Sequence, residues 1–90
     1  MLTEPQVEQY FEDGYVTPDF KLSEEVILSI KSRHERLLQM HPEYRDYCPA
    51  VLEHDIAFVD YCRNEQILDM VEQVIGPDIA LWNVSFFAKP

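Results

Sequence analysis

Apolar residues along this chain recur mostly at helical spacing, and four stretches read as helices. The first opens at Thr3, where Thr3-Glu4-Pro5-Gln6 has the spacing of a capping box, and Val7, Tyr10 and Phe11 follow at i, i+3 and i+4. Gly14 supplies a stop, and Tyr15 and Val16 then read as a short extended stretch cut off by Pro18. A second helix has Ser23 as its cap and Glu24 and Glu25 in its first turn, where carboxylates complement the helix dipole. Its stripe is Val26, Ile27, Ile30, Leu37 and Leu38, with His34 on the same side. Arg33, Arg36 and His41 lie toward its C-terminal half, and Pro42 ends it.

Residues 42–50 contain two prolines and no period, so a loop is expected there. Leu52, Ile56 and Val59, at i, i+4 and i+7, predict a short third helix running to about Arg63. Asn64 caps a fourth, with Ile67, Leu68, Val71, Val74 and Ile75 as its stripe and Gly76-Pro77 as its stop.

The pattern then changes. Residues 79–88 are rich in branched and aromatic side chains and predict a strand. One face carries Ala80, Trp82, Val84, Phe86 and Ala88 and is wholly apolar. The other carries Ile79, Leu81, Asn83, Ser85 and Phe87. A strand apolar on both faces belongs in a sheet covered on both sides. The stretch near Tyr15 cannot supply both neighbours. The expected fold class is therefore α+β, with N-terminal helices leading into the first strand of a larger sheet. The missing neighbours would come from further chain, from a second copy or from another protein.

Composition narrows the picture. Ninety residues make one domain or less, and a 10.7 kDa chain can bury roughly 65% of its unfolded surface, enough for one small core. No apolar run exceeds four residues, so no membrane span is expected. Seventeen Asp and Glu against seven Lys and Arg give a net charge of −10. That field disfavours nucleic acid and anionic membranes, and any acidic ligand would need a local basic spot. Cys48 and Cys62, without a leader peptide, read as reduced thiols in a cytoplasmic protein.

In order along the chain, several segments resemble the N-terminal region of the phytanoyl-CoA dioxygenase family. They are Gln6 to Val16 with its Asp13-Gly14-Tyr15-Val16 ending, Leu22-Ser23-Glu24-Glu25-Val26, Ile67 to Ile79 with its Ile75-Gly76-Pro77-Asp78-Ile79 turn, and Phe86-Phe87-Ala88-Lys89-Pro90. The resemblance spans this chain but only the front of a family member. It implies a non-haem iron(II), 2-oxoglutarate-dependent oxygenase that hydroxylates a small or lipid-like substrate. Its double-stranded β-helix (jelly-roll) would be truncated here to residues 1–90, with the first core strand at about 79–88. The family's His-x-Asp pair and its later ligands follow the segment ending in Pro90, so the chain alone is expected to be inactive and to bind no iron. By resemblance alone, Ser85 and Lys89 fall near the 2-oxoglutarate pocket. With Asn83, Ser85, Phe87 and Lys89 turned to that pocket, Trp82 would pack beneath the helices.

Other constellations are weaker. His41, Cys48, His54 and Cys62 match no familiar zinc spacing, and the bland reading makes Cys62 a small core residue and the histidines surface or helix-end groups. Cys48 with His41 or His54 would be a nucleophile and base, but Glu43, Asp46 and Glu53 nearby would raise the thiol pKa. Glu65, Asp69 and Glu72 read as a solvated helix side. The rival to the oxygenase reading is a small helical interaction module whose terminal strand extends a partner's sheet.

Overall fold

The structure, a computed structural model, describes residues 1–89. Its four α-helices are α1 (Glu4–Asp13), α2 (Glu24–Met40), α3 (Val59–Cys62) and α4 (Glu65–Ile75), and β1 (Tyr47–Cys48) pairs antiparallel with β2 (Phe86–Phe87). The class is mixed and helix-rich, compatible with α+β. The chain forms two compact units, one from Met1–Lys21 with Cys62–Leu81, the other from Leu22–Tyr61 with the segment from Trp82 onward.

In the first unit the local signals act as their chemistry dictates. Thr3 Oγ1 accepts from the Gln6 N–H, and Gln6 Oε1 accepts from the Thr3 N–H, at 3.3 and 2.8 Å. Gly14 ends α1 at φ 85°, a conformation that favours glycine, and Gly76 ends α4 at φ 86°. Asn64 Oδ1 caps α4 through the Ile67 N–H. Leu2 is tied to α4 by Gln73, whose Oε1 accepts from the Leu2 N–H at 2.7 Å while its Nε2 donates to the Leu2 carbonyl at 2.9 Å. Yet Leu2 is this unit's one buried hydrophobic residue among those described. Ile67, Leu68, Val71 and Val74 are half-buried, and Ile75 is exposed. The extended stretch expected at Tyr15 and Val16 forms no strand, and Tyr15 lies exposed. An isolated strand has no ladder to stabilise it.

The second unit holds the core: Leu37, Cys48, Val51 and Phe58, backed by Ile30, Tyr44, Leu52, Tyr61, Val84 and Phe86. Ser23 caps α2 as expected, accepting from the Val26 N–H. His34 faces the core, its ring 4.8 Å from that of Phe86, while Ile27 and Leu28 stay exposed. The single third helix expected through Leu52, Ile56 and Val59 is instead two 3-10 turns, Val51–Glu53 and Ile56–Phe58, followed by α3. Asp55 causes the break. Its backbone is extended (φ −151°, ψ 97°), and its side chain accepts from the Ala57 N–H to start the next turn. The buried positions are therefore Val51 and Phe58, whereas Ile56 is 69% exposed.

The terminal strand differs most from expectation. Its ladder covers Phe86–Phe87 rather than residues 79–88, and its partner is the segment read as a loop. Tyr47 pairs with Phe87 and Cys48 with Phe86, and the Ala88 N–H donates to the Asp46 carbonyl at 3.0 Å. The ladder ends after Cys48, where the register slips by one residue: Ala50 would face Val84 in register, but the Val51 N–H takes the Val84 carbonyl instead. Asn83 Nδ2 reaches the Pro49 carbonyl at 2.9 Å, and the Val51 N–H resumes contact at the Val84 carbonyl. Strand alternation holds only where pairing holds. Val84 and Phe86 turn to the core and Phe87 turns out, but Trp82, expected beneath the helices, is 97% exposed.

Candidate functional site

The spacing of α2 places Arg33, Arg36, Leu37 and Met40 along one side of the helix, three or four residues apart. Together with His41, His54 and Asp55 they line a cavity of about 250 Å³ within the second unit. His41 is the residue at which α2 ends, its N–H still bonded to the Leu37 carbonyl at 2.8 Å. Pro42 turns the chain into a 3-10 turn ending at Tyr44. His54 arrives from the opposite direction, at the end of the Val51–Glu53 turn. The His41 and His54 ring centroids are 4.5 Å apart, and Tyr44 lies 5.0 Å from His54 and 5.6 Å from His41.

Asp55 both caps a turn and anchors a cation. Arg33 Nη1 donates to its two carboxylate oxygens at 3.1 and 3.4 Å. That hydrogen bond holds the Arg33 guanidinium above its ordinary range, against an opposing desolvation effect. Arg33 is thus fixed in place with its charge balanced. Arg36 is exposed and makes no hydrogen bond or ion pair among the described residues. The Glu43 carboxylate lies 3.7 Å from His41 Nδ1 with a largely exposed side chain, and it does not line the cavity.

Four of the seven lining residues are Arg or His and one is acidic, in a chain with seventeen Asp and Glu. With Arg33 balanced by Asp55, the Arg36 guanidinium leaves the cavity one net positive charge in an acidic protein. Its chemistry is that of holding charge. Cys48, the candidate nucleophile for these histidines, is fully buried in the core. Cys48 and Cys62 remain thiols. Among the described residues no three His, Cys, Asp or Glu side chains converge as a metal would need.

Ser85 and Lys89 are not brought together. Ser85 is half-buried between the core-facing Val84 and Phe86. Lys89 is exposed and lines a separate concavity with Arg45, Asp46 and Ala88. Arg45 is itself engaged by Asp46, which raises its pKa through a hydrogen bond and then through charge. Neither Ser85 nor Lys89 is among the residues lining the cavity beside α2.

The basic cavity escaped the sequence reading because His54 and Asp55 reach it only through the break in the expected third helix. Arg33, Arg36 and His41 were visible on one half of α2; their partners were visible only as scattered polar residues. No family model matches the chain, and neither a curated protein nor a solved structure does.

Proposed function

We propose that this chain is the N-terminal helical and first-ribbon portion of an iron(II)/2-oxoglutarate-dependent dioxygenase of the phytanoyl-CoA dioxygenase type, acting on a small or lipid-like substrate. One observation carries the reading: each resembling segment coincides with a structural event in the family's order. Asp13-Gly14-Tyr15-Val16 ends α1, Leu22-Ser23-Glu24-Glu25 opens α2, Gly76-Pro77 ends α4, and Phe86-Phe87 forms a ribbon strand. The metal ligands and the rest of the jelly-roll belong to polypeptide outside residues 1–90, and Ser85 and Lys89 contribute to the cosubstrate pocket only in that larger assembly. The reading goes with a cytoplasmic setting. The test is the transcript. The reading expects the open frame to continue past Pro90 into a His-x-Asp, and the full product to convert 2-oxoglutarate to succinate. A stop codon directly after Pro90, with the 90-residue product monodisperse and folded, contradicts it.

A second reading, a module that adds its ribbon to a partner's sheet or to a second copy, is favoured by one feature. Tyr47 and Phe87 stack at 4.7 Å on the outer face of the ribbon and are both exposed. Mixing the chain with its co-purifying partners and following the Phe87 amide tests it. Protection on mixing supports the module, and an unchanged amide rules against it.

A further inference from the structure

We propose that the cavity between the C-terminal half of α2 and the His54–Asp55 turn binds a small phosphate-type oxyanion, free or as the phosphate group of a small ester. Charge segregation is the first argument. Against the chain's net charge of −10, two guanidinia share one concavity with a single carboxylate that Arg33 already matches, so the Arg36 charge is left over.

Division of labour is the second argument. Arg33 is held by two contacts to Asp55, so its position is set before any ligand arrives. Arg36 has its donors unspent. A guanidinium with a free fork suits an oxyanion, because it presents paired N–H donors at the spacing of two oxygens. His41 and His54, with ring centroids 4.5 Å apart, also line the cavity and offer ring nitrogens. Size is the third argument. About 250 Å³ leaves room for one oxyanion and a small organic remainder. This assignment is independent of the dioxygenase reading, since it rests on residues the resemblance does not use.

The experiment titrates inorganic phosphate into the 90-residue chain at constant ionic strength and follows backbone amides and Arg Nε–H signals by NMR. The expected result is a saturable response confined to Arg33, Arg36, His41, His54 and their neighbours, with Kd of about 1 mM or below. Arg36→Gln, at an exposed and unpartnered position, should keep the spectrum dispersed and weaken binding about tenfold. Lys31→Gln, on the same helix but outside the cavity, should leave affinity within about twofold, as for a distant screened charge. A parallel titration with phenyl phosphate separates the sources: tighter binding assigns the site to esters, equal binding to the free ion. An unsaturable response overturns the proposal. So does a response indifferent to Arg36→Gln, or one weakened as much by Lys31→Gln.

Discussion

The two units of this chain are built on opposite principles. In the first, α1 and α4 are well-signalled helices with a reciprocal capping box, an asparagine cap and glycine stops, yet that unit buries Leu2 alone among its hydrophobic residues. In the second, much of the backbone between His41 and Tyr61 is irregular, yet it carries Cys48, Val51 and Phe58 into the core with Leu37. Regularity and burial come apart here. Caps settle where a helix begins and ends, a matter of a few orphan N–H and C=O groups. Burial depends on contacts distant in sequence, and those are made by turns that look featureless in one dimension.

Substitutions should separate the two principles. Phe58→Ala removes the largest side chain of the buried cluster and should cost about 3–5 kcal/mol, which for a chain of this size means loss of the folded second unit. Chemical denaturation measures it, and a loss below ~1 kcal/mol would show that the irregular segment holds no core. Leu2→Ala, the matching change in the first unit, should cost about 2 kcal/mol, the low end for such truncations, because sparsely packed surroundings can close over the gap. An equal or larger loss than at Phe58 would erase the distinction.

Asp55→Ala tests the break that makes the second unit's turns. It removes a cap on Ala57 and the anchor of Arg33, and should cost about 1–2 kcal/mol while letting the Arg33 side chain move, seen as faster exchange of its Nε–H. Thr3→Ala, in the first unit, removes one half of the capping box and should cost about 0.5–1 kcal/mol, with fraying confined to the first turn of α1 by amide exchange.

The same contrast explains what could be read in advance. The starts and ends of α1, α2 and α4 were legible because Thr3, Ser23, Asn64, Gly14 and Gly76 act within three or four residues. His34 was correctly placed on the inner side of α2 by spacing alone. The third helix was misread because apolar period cannot see Asp55 diverting the Ala57 N–H to its own side chain. The long strand was misread because composition favours a strand, but where pairing stops is decided on the distant partner segment, where Val51 rather than the in-register Ala50 takes the Val84 carbonyl. Trp82 follows from that: without a ladder there is no pleat to turn it inward. For the site, one wall was visible on α2, and the facing histidine and carboxylate depended on the same unforeseen turn.

Native-state hydrogen exchange on the intact chain tests the separation of regularity from burial most directly. The account predicts that the slowest amides belong to the irregular half, at Val51, whose N–H bonds to the Val84 carbonyl, and at buried Cys48, paired with Phe86, and to the Leu37 turn of α2, while α1 and α4 exchange through openings of lower free energy despite their better caps. Slower exchange throughout α1 and α4 than at Val51 and Cys48 would contradict it.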